Sequence, residues 1–311
     1  MNIKKIFIFL LTLFFIACST NEGVTPLMKA SMNGNITQVK QFINKKSINA
    51  TSSYGWTALM FASWKGHEDI VNLLLDKGAN PNVLSGEIPA KFETTGNMPP
   101  TTALGTAIKH KHISIAKILI ENGALIDRDS IAQVGATGDI SLVKLMISKG
   151  ANIDVSGSTS YYPSALCMAS REGKLEMVKF LINNGANPNK IHHIRHNALK
   201  EAVVKSQLDV VRYLLKNKAN PNIKLGNETV LYLAIATYIH EEDYDNNYEI
   251  IKLLLLYGAD RFFKPFNGNE TIVDKAKTKY HSFTQSPSRN NKKVSQRLLN
   301  NVRLLESTVA N

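Results

Sequence analysis

Residues 57–82, TALMFASWKGHEDIVNLLLDKGANPN, return in closely similar form at residues 164–189, SALCMASREGKLEMVKFLINNGANPN. Both segments read A-L-x-x-A-S, then a glycine, then an apolar run, then G-A-N-P-N. A third copy lies at 197–222 and a fourth at 102–127. The copies recur at a period of about 33 residues, interrupted by insertions and one deletion. The leading apolar position falls at Leu27, Leu59, Leu104, Ile131, Leu166, Leu199, Leu231 and Val273.

Each part of the copied segment favours a helix–turn–helix unit. The hydroxyl of Thr57 can cap a first helix, and Leu59 and Ala62 lie three residues apart on one helix face. Gly66 allows the left-handed turn that ends this helix. The apolar spacing that begins at Ile70 predicts the buried side of a second helix. Hydroxyl residues in the capping position recur as Thr25, Thr57, Thr102, Ser164 and Thr229.

This pattern resembles the ankyrin repeat, whose units read T-P-L-H-x-A, then a glycine, a V-V-x-L-L-L helix and G-A-D/N-x-N. The resemblance implies an all-α ankyrin-repeat solenoid of about eight helix–turn–helix units with projecting loops, over residues 24–306. The family's histidine after the first leucine is replaced in the units by Met28, Met60, Gly105, Cys167, Lys200 and Tyr232. Its replacement predicts looser contacts between neighbouring turns.

Several segments depart from the plain repeat. We expect an enlarged projecting loop at 83–101, insertions at 238–247 and 280–295, a terminal capping helix at 296–306 and a tail at 307–311. The acidic residues of the first insertion could bind a cation such as Ca²⁺, although the spacing of an EF-hand is missing and a solvated acidic loop is favoured. These residues are Glu241, Glu242, Asp243 and Asp245.

The first 17 residues have the pattern of a secretory signal, with a basic start and a short apolar run. The end of this run, Phe15-Ile16-Ala17-Cys18, resembles the lipobox of bacterial lipoproteins. The resemblance implies cleavage before Cys18, lipidation of its sulfur, and a short tether at 18–23. An ordinary cleaved signal and a retained transmembrane anchor are the alternatives. The protein is therefore expected to be an exported, membrane-anchored lipoprotein, at the outer membrane or the periplasmic face of the envelope rather than in the cytoplasm.

Composition sets further bounds on this chain of 311 residues. Apolar residues make up 44%, which is enough to bury a core. The formal net charge is +12, and it falls by two to +10 when Lys4 and Lys5 are removed with the leader. This charge favours anionic partners but is scattered, so no nucleic-acid partner is predicted. With Cys18 lipidated, Cys167 has no disulfide partner and is expected to be a buried core thiol. We expect a monomer without a cofactor.

No phosphate-binding loop, G-x-S-x-G, H-E-x-x-H or paired C-x-x-C motif is present, so the chain is predicted not to be an enzyme. The histidine-rich loop at 190–197 contains His192, His193 and His196, which are weak candidates for Zn²⁺ or Cu²⁺ ligands. Lys190 and Arg195 disfavour a cation there. A basic contact loop is the favoured interpretation.

The ankyrin resemblance implies that a protein partner binds the concave face, formed by loop tips and the exposed side of the first helices. Aromatic and arginine side chains dominate the binding energy of protein interfaces. The matching positions are Ser53, Tyr54, Trp56, Trp64, Lys65, Lys109, His110, Tyr161, Tyr162, Arg171, Glu172, His193, Arg195, His196 and Lys205.

Alternatives remain open both for the role of these residues and for the function of the protein. Trp56 and Trp64 could simply pack against neighbouring loops. The leading hypothesis is a non-enzymatic, lipid-anchored scaffold that binds another protein. The alternatives are capture of a ligand or metal by the loop at 190–197, and an inhibitor or immunity protein.

Overall fold

The computed structural model describes residues 23–86, 100–158, 163–193, 195–236, 244–265, 268–284 and 292–307. Several predicted features lie outside the described residues. These are the leader 1–17, Cys18 and the rest of the tether up to residue 22, residues 87–99 of the enlarged loop, Tyr161, Tyr162, Glu241, Glu242, Asp243, residues 285–291 and the tail beyond 307.

The described residues form sixteen α-helices and no strand, which follow one another as eight helix pairs. This confirms the prediction of an all-α chain of about eight helix–turn–helix units. The helices are α1 Pro26–Met32, α2 Ile36–Phe42, α3 Ala58–Lys65, α4 Glu68–Asp76, α5 Ala103–Lys109, α6 Ile113–Glu121, α7 Arg128–Thr137, α8 Ile140–Ser148, α9 Ala165–Arg171, α10 Leu175–Asn183, α11 Ala198–Val204, α12 Leu208–Lys216, α13 Val230–Ala236, α14 Tyr244–Leu256, α15 Ile272–Thr284 and α16 Lys292–Ser307. None of these helices is long and apolar enough to cross a membrane.

The chain divides into two compact units. The first contains residues up to 130 together with 141–151, and the second contains 131–140 and the residues from 152 onward. Within the first unit, α1, α3 and α5 pack in a row, and so do α2, α4 and α6. Within the second unit, the rows are α9, α11, α13 and α15, and α10, α12 and α14 followed by α16. Each unit is therefore a two-layered stack of helix pairs.

Side-chain caps fix the start of the first helices, as the sequence predicted. The Thr57 hydroxyl accepts a hydrogen bond from the Met60 amide at 3.2 Å, and Ser164 accepts one from the Cys167 amide at 3.2 Å. Such caps satisfy amide groups that have no partner within the helix. Leu59 is buried, and so is the apolar side of the second helices. Full burial of a leucine side chain contributes about 1.5–3 kcal/mol to the free energy of unfolding.

Asparagine side chains join the turns that follow successive second helices. Asn82 Oδ1 accepts from the Leu125 amide at 2.7 Å, and its Nδ2 donates to the Gly123 carbonyl at 3.0 Å. In the second unit, Asn189 accepts from the Asn220 amide at 2.7 Å and donates to a carbonyl in the same turn. The "NPN" segments thus link each turn to the next, a role that the sequence analysis did not assign to them.

A second set of side chains joins the turns between first and second helices. His67 Nε2 donates to the Met32 carbonyl at 3.2 Å, and His112 Nε2 donates to the Trp64 carbonyl at 3.1 Å. Gln207 makes the equivalent bond to the Arg171 carbonyl at 3.4 Å. These residues stand at the N-cap of the second helix. They tie neighbouring turns together although the family's usual histidine is absent from the units.

The C-terminal pairs contain more helix than the sequence analysis assigned. Residues 244–247 of the insertion at 238–247 begin α14, where the buried Asn247 donates to the Ala234 carbonyl at 2.9 Å. Residues 280–284 and 292–295 of the insertion at 280–295 belong to α15 and α16. The terminal helix therefore begins before 296 and ends at Ser307. The polar composition of residues 280–284 and 292–295 favours a loop. Packing of α15 against α16 keeps these residues helical.

Replacing Lys218 with glycine is expected to raise the free energy of unfolding by about 1 kcal/mol. Lys218 has φ +65° and lies in the turn after the second helix, at a position where other repeats have glycine. A left-handed non-glycine residue costs about 1–2 kcal/mol, part of which glycine loses again through unfolded-state entropy. Urea denaturation measures the change. Gly185→Ala, at φ +93° with open space around the new methyl group, should change stability in the opposite direction. A Lys218→Gly variant less stable than wild type would contradict this account.

Candidate functional site

Three aromatic rings lie together on α3 and the turn before it, in the first unit. Trp56 is only 9% exposed, and its ring centroid lies 5.1 Å from that of Phe61 and 5.9 Å from that of Trp64. The two tryptophan rings meet edge to face at 83°, an arrangement that aromatic pairs favour. Trp64 is half-buried near the end of the helix. One tryptophan therefore supports the other, and part of the second remains exposed.

Lys65 and His110 contact the Trp64 ring. Lys65 Nζ lies 3.6 Å from the ring centroid, which is a cation–π contact. The His110 ring, at the end of α5, lies 6.2 Å from the Trp64 ring at 66°. Lys109 precedes His110 and is half-buried as well. We name the set of Trp56, Phe61, Trp64, Lys65, Lys109 and His110 the Trp64 cluster.

The electrostatic environment of the Trp64 cluster is positive. Burial lowers the pKa of Lys65 below its usual value. The pKa of His110 falls to about 4, first because of burial and then because of the charges of Lys109, His112 and Lys65. His110 is therefore neutral at pH 7, and the two lysines that act on its ring are positively charged. An anion placed here would relieve this unfavourable field.

A second polar group lies between α9 and α11, in the second unit. The carboxylate of Glu201 is only 4% exposed, and its Oε2 accepts from Arg171 Nε at 2.8 Å. Its Oε1 accepts from His196 Nδ1 at 2.8 Å, and Lys200 Nζ lies 3.9 Å away. We name these four residues the Glu201 network. It ties the histidine-rich loop to two first helices.

The histidine-rich loop directs its three imidazoles to three different partners. His192 Nδ1 lies 2.6 Å from Ser156 Oγ, and His193 Nε2 donates to the Gly157 carbonyl at 3.1 Å. His196 binds Glu201. Among the described residues, no group of three or more His, Cys, Asp or Glu side chains is placed to hold a metal ion. The structure thus does not bring the three weak metal candidates together.

Cys167 is a buried free thiol on α9. Burial raises its pKa to about 12, so the thiol stays protonated at neutral pH. A protonated, buried thiol is a poor nucleophile. The prediction of a buried core thiol is confirmed.

Comparison with known proteins agrees with this architecture. The family model described as ankyrin repeats (3 copies) matches residues 4–85, 131–225 and 166–264. The chain belongs to the ankyrin-repeat family. Among solved structures, the human ASB11 ankyrin repeat domain has a TM-score of 0.56 and 21% identity, covering 79% of this chain and 98% of that domain. The ankyrin repeat domain of Bcl-3 gives 0.53 and 24%, covering 76% and 100%.

Curated relatives share the repeats over part of their length. The potassium channel AKT2/3 of Arabidopsis thaliana is 28% identical over 178 residues, which is 54% of this ankyrin-repeat chain and 20% of the channel. The putative ankyrin repeat protein L86 of Acanthamoeba polyphaga mimivirus is 31% identical over 156 residues, 47% of this chain and 23% of that protein. This chain therefore matches less than a quarter of either relative.

The ankyrin repeats place the predicted partner-binding residues at different depths. Trp56 is buried and packs against Phe61 and Trp64, which favours the packing role that the sequence left open for it. The half-buried residues are Tyr54, Trp64, Lys65, Lys109, His110, Arg171 and His196, and the exposed ones are Ser53, Glu172, His193, Arg195 and Lys205. The repeat pattern alone does not identify Glu201 as part of a network. The signal for it was an acidic residue in the repeat position that holds Phe61 and Met168 in other copies.

The ankyrin-repeat fold should lose stability as the pH falls from 6.5 to about 4. His110 and His192 both have a pKa lowered to about 4, chiefly by burial, against 6.5 when unfolded. In this window the unfolded chain takes up protons that the folded chain does not bind. Stability then decreases by at most about 1.4 kcal/mol per pH unit for each histidine, and by less where the ring is partly solvated. Thermal unfolding across this range measures the slope.

Variants show which histidines cause the dependence of stability on pH. His110→Gln and His192→Gln should each flatten the dependence on pH, whereas replacement of the exposed His281 by glutamine should leave it unchanged. An equal slope in wild type and in the double variant would show that other groups cause the acid sensitivity.

Proposed function

We propose that this chain is a non-enzymatic interaction module that binds a protein partner through the Trp64 cluster. The observation that carries the proposal is the half-buried Trp64 ring, supported by Trp56 beneath it and flanked by Lys65 and His110. Tryptophan is among the residue types that dominate the hot spots of protein interfaces, and the adjacent Lys65 adds a positive charge. Ankyrin repeats are interaction scaffolds, which supports the same conclusion.

The other polar clusters favour binding rather than catalysis. Glu201 holds Arg171 and His196, and Cys167 is a buried, protonated thiol. The first three side chains bind one another within the fold, and the thiol is neither ionised nor exposed. A catalytic set would instead need a reactive group with an adjacent base and access to substrate.

A pull-down with matched variants tests the proposal. The variant Trp64→Ala/Lys65→Ala/Lys109→Ala removes three half-buried side chains of the Trp64 cluster and leaves Trp56 in place. The control Lys77→Ala/Leu125→Ala/Lys149→Ala removes two lysines and one apolar side chain that are exposed elsewhere in the first unit. A partner protein recovered with wild type and control, but lost with the first variant, is expected. Equal recovery of every protein by all three would count against this surface.

We also propose that the protein is anchored to a bacterial membrane through lipid on Cys18. The support is the sequence alone: a basic start, an apolar run to Ala17 and a cysteine directly after it. Cys18 precedes Thr25 by seven residues, so the tether spans at most about 25 Å. The first helix pair would then lie close to the bilayer, with the chain held in the envelope.

Metabolic labelling with a fatty acid tests the anchor. The wild-type protein should take up the label and sediment with membranes, and Cys18→Ser should abolish the label and release the protein. Incorporation that persists in Cys18→Ser would overturn lipidation at this residue.

A further inference from the structure

We infer that the Trp64 cluster recognises an acidic segment of a partner protein, with carboxylates at Lys65, Lys109 and His110 and an apolar side chain against Trp64. The inference rests on the proposed function and specifies the chemistry of its partner. It concerns the first unit alone, because all the residues of the cluster lie on α3, on α5 and in the turns beside them.

The geometry gives the two kinds of contact that such a segment needs. Lys65 Nζ stands over one face of the Trp64 ring at 3.6 Å, and the His110 ring meets Trp64 at a centroid distance of 6.2 Å. Apolar surface and cationic groups are therefore adjacent. An acidic segment with an apolar residue beside its carboxylates can contact both at once.

Charge complementarity identifies the sign of the partner. Lys65 forms no ion pair among the described residues, and its ammonium group is partly desolvated. The positive charges that act on His110 at neutral pH come from Lys109 and Lys65. Attraction between a carboxylate and such half-buried cations is screened less than at a fully exposed site.

The size of the cluster favours a peptide over a nucleic acid or a bilayer. Nucleic-acid sites neutralise several phosphates along a strand with a row of basic residues. Here the Lys65 ammonium and the neutral His110 ring lie against one ring that Trp56 holds in place, and Lys109 is the residue before His110. A compact site of this kind matches a few carboxylates beside one apolar side chain.

Selection from a random 12-residue peptide display library tests the inference with the full purified chain. Enriched peptides should carry more Asp and Glu than Lys and Arg, together with an apolar residue. Charge reversal in Lys65→Glu/Lys109→Glu should weaken the best peptide by about tenfold or more, and so should exchange of its carboxylates for amides. The control Lys77→Glu/Lys149→Glu should stay within about twofold. Thermal unfolding verifies that both double variants are folded.

The other outcomes separate this inference from the proposed function. Enrichment of neutral or basic peptides, or of acidic peptides insensitive to Lys65→Glu/Lys109→Glu, overturns the acidic partner and leaves protein binding intact. The inference also fails if the charge reversal abolishes binding of single-stranded RNA or of phosphatidylglycerol vesicles while peptide binding is unchanged. If no peptide is enriched and the alanine variant loses no partner in the pull-down, both proposals fail.

Discussion

Replacing Glu201 with alanine is expected to lower the free energy of unfolding by about 2–3 kcal/mol. The carboxylate is buried and accepts hydrogen bonds from Arg171 and His196 at 2.8 Å each. Its removal would leave a guanidinium and an imidazole without their acceptor. It would also remove the bond that holds His196 to α11. Chemical denaturation monitored by circular dichroism measures the loss.

Matched variants separate the Glu201 network from a general effect of losing an acidic side chain. Glu172 lies at the end of α9 and is exposed, so Glu172→Ala should change stability by no more than about 0.5 kcal/mol. Glu201→Gln keeps the shape and part of the hydrogen bonding and should fall between the two. A cost below about 1 kcal/mol for Glu201→Ala would show that the network contributes little to the fold.

Replacing Gly135 with valine is expected to cost about 4 kcal/mol or more and to reduce the yield of folded protein. A Cβ atom on Gly135 would lie 2.0 Å from the Ala165 carbonyl oxygen and within 3 Å of two further backbone atoms. Backbone atoms cannot rotate away as a side chain can. Helices α7 and α9 would have to separate where these residues meet.

The control for this substitution is Gly268→Ala. Its nearest contact would be 3.4 Å, at the edge of ordinary van der Waals distance, and its backbone is not left-handed. We expect its midpoint in urea to stay close to that of wild type. If Gly135→Val unfolds at the same urea concentration as Gly268→Ala, the close approach of the two helices is wrong.

The sequence was sufficient to predict the repeat fold because each repeat contains the capping and glycine residues that begin and end its own helices. Thr57 and Ser164 cap first helices as predicted, and Gly66 and Gly78 have the left-handed backbone that their positions required. These features depend on interactions within a few residues. Local rules of helix capping and termination therefore describe them well.

Contacts between neighbouring repeats could not be predicted from the sequence in the same way. Glu201 occupies a repeat position that is apolar in other copies. Only the fold shows that its partner is Arg171, about thirty residues earlier. The bonds from Asn82 and His112 to neighbouring turns also depend on the stacking of one unit on the next. The burial of Trp56 is a third case, because an aromatic residue before a helix suits a binding loop and a packed loop equally.

Site-specific photocrosslinking at Trp64 in native cells tests most directly whether a partner protein binds the Trp64 cluster. A photoreactive phenylalanine analogue replaces Trp64 in one variant and the exposed Lys149 in a control. We expect a discrete crosslinked protein at position 64 that is absent at position 149. Mass spectrometry should show that this protein has an acidic segment at the crosslink. Crosslinks to the same proteins from both positions, or none from position 64 in a folded protein, would contradict it.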